Sequence, residues 1–238
     1  MKQTLTFKQI TLITDGYSNQ GVSPIVAARE AYIEGITVNV IGITDNRAFT
    51  NQGSSEIEGI AKAGGGLSQI VPIEEVAKTV QMVTRKAVNK TIQQVVHSQL
   101  TQILGKEDLL ELPPSERIKV VQMMDQLAEH SVLKVLLLVD QSASMFKKMK
   151  RVEEALNDFQ LSLLSRSGNS EISILSFPGG SGNTDVRIPW TNEIKRISDL
   201  LRSMSPKGNT PTGPAILESI SYFADLQLKT GVLDEYIV

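Results

Sequence analysis

Two periodicities alternate along the first part of the chain. From Lys8 the run Lys-Gln-Ile-Thr-Leu-Ile-Thr-Asp-Gly is β-prone and stops at Asp15-Gly16, the pattern of a strand entering a turn. Ile25, Ala28, Ala31, Tyr32 and Ile36 then recur at helical spacing, with Pro24 where a first-turn proline is tolerated and Gly35 placed to close the helix. The segment from Ile36 to Ile43 is mostly apolar and rich in β-branched residues, as expected of a strand covered on both faces. Ser55 to Ala63 reads as a helix stopped by Gly64-Gly65-Gly66, which reads as a turn, and Leu67 to Val71 as a third short strand. An amphipathic helical pattern sets in at Ile73. Strands and helices alternating in this way predict a parallel sheet.

From about Ala87 to His130 the character changes: Gln-rich and helix-prone as far as Leu104, broken at Gly105 and Pro113-Pro114, then helical from Glu116 to Glu129. This segment reads as a helical connector, and spacing leaves open whether it packs on the rest or stands free. A second α/β block opens with Val132 to Asp140, whose near-continuous apolar run suits a central parallel strand. A helix from about Lys148 to Leu164, strands from Ile172 to Phe177 and from about Val186 to Pro189, a helix near Asn192 to Met204, a loop from Ser205 to Gly213 and a helix from Pro214 to about Leu226 follow. Three segments result: residues 1–86 and 131–238 as halves of one α/β domain, and residues 87–130 as the connector between them.

Composition narrows the possible partners. With 41% hydrophobic and 21% charged residues in 238, the chain is of ordinary globular make-up and long enough to bury a substantial core. A formal net charge of −2 and a pI of about 5.8 leave no basic footprint for a phosphate backbone, so nucleic acid is not an expected partner. The absence of cysteine excludes disulfides, thiolate metal sites and cysteine nucleophiles. The first residues are polar and the apolar run behind them is interrupted at Asp15, so neither a signal peptide nor a membrane span is expected, and the cytoplasm is the expected location.

The candidate chemistry lies at strand ends. Asp140-Gln-Ser142-Ala-Ser144 follows the buried strand directly, which sets one carboxylate and two hydroxyls where open α/β sheets place ligands. Such oxygen donors suit hard cations, Mg²⁺ or Mn²⁺. A lone Asp-x-Ser-x-Ser is more often a helix cap. Two further segments change that weighting: Gly208-Asn-Thr210-Pro-Thr212-Gly before a predicted helix, and Ile13-Thr-Asp15-Gly16 at the end of the first strand. Together the three resemble the parts of the metal-ion-dependent adhesion site (MIDAS) of von Willebrand factor A (VWA) domains. Ile41-Gly-Ile-Thr-Asp45 and Ile57-Glu-Gly-Ile-Ala61 through Gly65 resemble the closing strand, helix and turn of the same family. The resemblance covers nearly the whole chain except the connector, but the order differs, because here the Asp-Gly strand comes first.

The resemblance implies a doubly wound, mainly parallel six-stranded α/β sheet of Rossmann-like type, in circularly permuted strand order with a helical connector. The first block would supply strands four to six and the second block strands one to three. Ile10 to Thr14 would lie beside Val135 to Val139 at the point where strand order reverses. The implied metal ligands are Asp140, Ser142, Ser144, Thr210 and Asp15: the two serines bind directly, Thr210 or Asp15 directly or through water, and Asp140 mostly through water. A Glu or Asp of a protein partner would complete the shell.

Other readings are plainer. Thr212 beside Pro211 reads as a turn-and-cap residue, Asp45 as a turn residue, and His97 and His130 as helix-surface histidines. The glycine clusters lack the Gly-Lys-Ser/Thr of a phosphate loop, and Trp190 and Phe177 read as packing groups. The expectation is therefore a non-enzymatic, Mg²⁺- or Mn²⁺-dependent protein-binding module, without nucleic acid or membrane as partner. The alternatives are a metal-independent scaffold that uses the connector helices and, more remotely, a metal-dependent hydrolase. The connector is long enough for a closed monomer, and a domain-swapped dimer is the other possibility.

Overall fold

The computed structural model describes residues 5–44, 51–104, 109–192 and 208–231. In chain order the elements are β1 (Thr6–Thr14), α1 (Pro24–Ile33), β2 (Ile36–Thr44), α2 (Asn51–Ala63), β3 (Gly65–Pro72), α3 (Val76–Leu104), α4 (Pro114–His130), β4 (Val132–Asp140), α5 (Met149–Leu164), β5 (Ser170–Phe177), β6 (Asp185–Thr191) and α6 (Thr212–Gly231). The six strands form one sheet in the order β3-β2-β1-β4-β5-β6. All neighbours pair in parallel except β5 and β6. This is the doubly wound, Rossmann-like α/β architecture expected from the alternating pattern. The helix expected near 192–204 and Asp45 lie outside the described residues.

Alternation along the strands divides the interior into two layers. On β4, Leu133, Val135, Leu137 and Val139 face one layer, where Val80, Val88 and Ile92 of α3 meet Val152, Leu156 and Phe159 of α5. Leu136 and Leu138 face the other, with Ala27, Ala28 and Ala31 of α1, Ile57 and Ile60 of α2, and Ala215, Ile216 and Phe223 of α6. A strand covered twice must be apolar at successive positions, which explains the unbroken run before Asp140.

β1 and β4 are the two central strands of the sheet. β1 pairs with β4 within one chain, from Thr6 opposite Val132 to Ile13 opposite Val139. The next rung brings Thr14 beside Asp140, and both strands deliver their carboxyl ends to the same edge. Between β1 and β4 the connections diverge to opposite sides of the sheet, which opens the crevice where ligands bind in open α/β folds.

α3 runs unbroken across residue 87. Val80, Val83, Ala87, Val88 and Ile92 form one buried stripe, and no glycine or proline interrupts them. Lys90 Nζ donates to the Gly65 carbonyl oxygen at 2.9 Å, and Gln9 Nε2 donates to that of Thr84 at 3.3 Å, which pins α3 to the sheet. The connector is docked. Met124 and Ala128 of α4 pack against the same layer, and Arg166 Nη2 donates to the Ala128 carbonyl oxygen at 2.7 Å.

The Gly64 to Gly66 turn is also revised. Gly65 has a φ of 67° but already opens β3, and a Cβ on Gly66 would overlap the Val38 carbonyl oxygen. These glycines serve close strand packing as well as the reversal. His97 and His130 lie exposed on their helices, as expected. Phe177 is fully buried, and Trp190 stacks on Tyr222 with ring centroids 5.9 Å apart.

Candidate metal centre

Asp140 ends β4 with no exposed surface. Its Oδ2 accepts a hydrogen bond from Thr14 Oγ1 at 2.6 Å, and its Oδ1 accepts one from the Ser142 amide at 2.7 Å. The Thr14 hydroxyl has one proton to give. Asp140 takes it, because the Gly16 carbonyl oxygen is 3.4 Å away and uncharged, and charge-assisted bonds are the stronger. Burial pushes the Asp140 carboxyl up from 3.8 to about 6. The hydrogen bonds from Thr14 and Ser142 pull the other way, and the neighbouring Asp15 charge adds to the rise.

The chain turns directly after Asp140. Gln141, the residue between the aspartate and the first serine, is tied sideways to the end of β5, its amide donating to the Phe177 carbonyl oxygen at 2.6 Å. A short 3₁₀ turn at Ala143–Met145 follows and carries the second serine. Ser142 Oγ and Ser144 Oγ lie 3.2 Å apart, and Ser144 Oγ donates to Asp15 Oδ1 at 2.7 Å. A carboxylate from residue 15 and hydroxyls from residues 142 and 144 therefore form one chain of hydrogen bonds, 129 residues apart at its widest step.

Asp15 has a second partner. Lys148 Nζ lies 2.6 Å from Asp15 Oδ2, with side-chain exposures of 8% and 1% respectively. Lys148 is the N-cap residue of α5, where the helix dipole disfavours a cation. A buried ammonium at that position depends on its carboxylate.

Thr210 lies on the loop that precedes α6. Thr210 is buried at 6% exposure, and its carbonyl oxygen accepts from the amide of Asn19 and the hydroxyl of Ser18, both at 3.2 Å. Its own amide donates to Asn19 Oδ1 at 2.9 Å. Thr210 is thus attached through its backbone to the loop that follows Asp15. Gly213 permits the contact, because a Cβ there would overlap the Val22 carbonyl oxygen. Ser18 is anchored in turn by Glu56 of α2, whose Oε1 accepts from the Ser18 amide at 2.6 Å. Burial raises the Glu56 carboxyl, and that hydrogen bond opposes the rise. Thr212 opens α6, in keeping with a capping role.

The donor set fits a hard divalent cation. The side chains brought together, Asp15, Ser144 and Ser142 with Asp140 beside them, offer only oxygen, while Thr210 is joined to the neighbouring loop through its backbone. A positive group, the Lys148 ammonium, already sits against one carboxylate, and the other is held near 6 by burial. Among the described residues no group of three or more His, Cys, Asp or Glu side chains that could hold a metal gathers.

Four residues of this neighbourhood escaped sequence reasoning. Thr14 is an ordinary strand residue until the register places it beside Asp140. Asn19 and Glu56 act through loop backbone, which leaves no residue-type signature. Lys148 carried a signal, a lysine at a helix start, where acidic residues are favoured.

The fold and the cluster define a doubly wound α/β protein with an oxygen-rich crevice at the reversal point of its sheet. No family model matches the sequence. The chain belongs to the family of the uncharacterized protein YabS of Bacillus subtilis strain 168, with which it is 45% identical over 226 residues, 94% of this chain and 92% of that protein. An uncharacterized protein from Alicyclobacillus acidocaldarius, solved by crystallography, is 38% identical and superposes with a TM-score of 0.87 over 94% of this chain and 97% of its own. Proximal thread matrix protein 1 from the mussel byssus, solved with a zinc-occupied MIDAS motif, is 15% identical with a TM-score of 0.25 over 97% of this chain and 47% of its own, a likeness too slight to carry an argument. Among the described residues no helix is long and apolar enough to cross a membrane.

Proposed function

We propose that this chain is a VWA-type protein-binding module in circularly permuted order, in which Mg²⁺ or Mn²⁺ held by Asp140, Ser142, Ser144, Thr210 and Asp15 captures an acidic residue of a partner protein. The carrying observation is the chain of bonds that runs from Asp15 through Ser144 to Ser142, assembled by pairing of β1 with β4. Read from β4, the strands follow as β4, β5, β6, β1, β2, β3, so the strands in first and fourth place stand side by side at the centre of the sheet. That is the adjacency which the VWA resemblance requires.

A bound divalent ion would supply a Lewis-acidic centre for a carboxylate. The protein's own residues do the rest. Thr14 and the Ser142 amide fix the orientation of Asp140, Gln141 anchors the turn to β5, and the Asn19 and Ser18 contacts set the position of the threonine loop. Around this crevice Phe146 stands 71% exposed and Tyr17 43% exposed, while Lys147 and Lys150 are exposed at the start of α5. An aromatic rim with added positive charge suits an acidic side chain flanked by apolar surface.

Calorimetric titration of Mn²⁺ into the purified protein tests the reading. Binding in the wild type that weakens at least ~10-fold in Ser142→Ala is expected, a loss of about 1.4 kcal/mol or more. No heat in the wild type sinks it. A metal-independent scaffold has one observation in its favour, the exposure of Ile118, Val121 and Met123 on α4. It predicts partner capture that persists in EDTA.

A further inference from the structure

We infer that Lys148 is the resident cation of the metal-free centre and that a divalent ion enters by exchange for its ammonium group. The inference rests on the metal-binding reading and adds to it a built-in competitor. Lys148 Nζ lies 2.6 Å from Asp15 Oδ2, and the other oxygen of the same carboxylate accepts from Ser144 Oγ at 2.7 Å. The ammonium therefore sits on a proposed metal ligand, one hydrogen bond away from a second. Both side chains are almost wholly buried, so solvent screens the pair little.

A divalent ion bound to the same oxygens would meet that ammonium at close range. Two cations that share one carboxylate in a poorly hydrated crevice repel strongly, and the mobile one yields. Lysine is suited to yielding. Its charge sits on a flexible stem, and at the N-cap of α5 the helix dipole already disfavours it. The neighbouring Lys147 and Lys150 are exposed, so the released ammonium has solvent beside it. Displacement would also add a third positive group to the rim at the moment the ion is ready for an acidic partner. Metal loading and partner recruitment are thereby coupled through one side chain.

The wild-type protein provides the direct test. An amine-acylating reagent is applied with and without saturating Mg²⁺, and modification at each lysine is read by peptide mass spectrometry. Faster labelling of Lys148 with Mg²⁺, at unchanged rates for Lys147 and Lys150, is the expected result. In parallel, Lys148→Met should bind Mn²⁺ about tenfold or more tightly than wild type by calorimetry, because the competitor is gone. If Lys148→Met does not fold without metal, Lys148→Gln refolded in EDTA and in Mn²⁺ gives the same reading, with a larger Mn²⁺-induced rise in melting temperature than the wild type shows. Unchanged labelling of Lys148 under Mg²⁺ that calorimetry shows to be bound overturns the exchange and leaves the metal centre standing. Equal or weaker Mn²⁺ binding by the folded variant does the same. No binding by wild type or variant removes the metal centre, and the exchange with it.

Discussion

Asp15 and Asp140 leave adjacent parallel strands at the same end of the sheet, and both side chains are buried. Asp15 is met by a cation, Lys148, as well as by a serine hydroxyl. The donors to Asp140 are a threonine hydroxyl and a backbone amide, and its carboxyl is pushed up to about 6. Burial alone does not decide whether a carboxylate is comfortable. What matters is the charge of the group it faces, since neutral donors return only part of the hydration a carboxylate loses. One acid has its counter-charge, and the other has only neutral donors for hydrogen-bond partners.

The sharpest way to break this contrast is to neutralise each acid separately. Asp15→Asn leaves the Lys148 ammonium without its carboxylate in a nearly dry position, and removing one partner of such a pair costs about 3 kcal/mol. Asp140→Asn removes the charge that burial disfavours and is expected to raise stability by roughly 1–3 kcal/mol at pH 7. Urea unfolding in EDTA checks both variants. Destabilisation of similar size in the two would show that the carboxylates are equivalent and would end the comparison.

The same difference has a pH signature of comparable size. The folded-state value for Asp140 lies above the ordinary one, so the native protein holds this proton more tightly than the unfolded chain does. Its contribution is thus free of penalty below about pH 4 and turns unfavourable as pH rises from the ordinary value of 3.8 through about 6. The accumulated cost is on the order of 3 kcal/mol, since each pH step of one across that window adds roughly 1.4 kcal/mol. In EDTA, the stability of wild type minus that of Asp140→Asn should fall across this window and level off above it. A flat difference, or one that climbs with pH, would contradict the environment described for Asp140.

Most of the architecture was legible because two-sided burial writes itself into sequence. The apolar run before Asp140 marks a doubly covered strand, and the breaks at Asp15-Gly16 and after Asp140 mark strand ends. The connector was legible as helix but not as separate from what precedes it, because Val80, Ala87 and Ile92 belong to one stripe that ignores the compositional change at residue 87. Candidate ligands were legible by residue type. Their supports were not, because Thr14 reaches Asp140 only through strand register, and Asn19 and Glu56 work on backbone amides. Lys148 carried only a weak signal, a lysine at a helix start. In sequence it is one of three lysines in four residues, and only packing separates the buried ammonium from its exposed neighbours.

Thr14 offers the finest probe, since replacing it changes Asp140 without touching any charge. Thr14→Val keeps the shape of a β-branched strand residue and removes the hydroxyl that donates to Asp140 Oδ2 at 2.6 Å. At pH 7 the lost bond is a charge-assisted one to a buried carboxylate, so a cost of about 1–2 kcal/mol is expected in EDTA. Near pH 4 the carboxyl is largely protonated in the native state, and the cost should shrink to about 0.5–1 kcal/mol. In the Asp140→Asn background the same substitution should cost less at pH 7 than in wild type, with a pH dependence close to flat. Urea unfolding of the four proteins in a double-mutant cycle measures the coupling directly. Additive effects at pH 7 would mean that the Thr14 hydroxyl contributes nothing through Asp140. The carboxylate would then have to owe its orientation to the Ser142 amide alone, and the junction of β4 with β1 would be looser than the 2.6 Å contact implies.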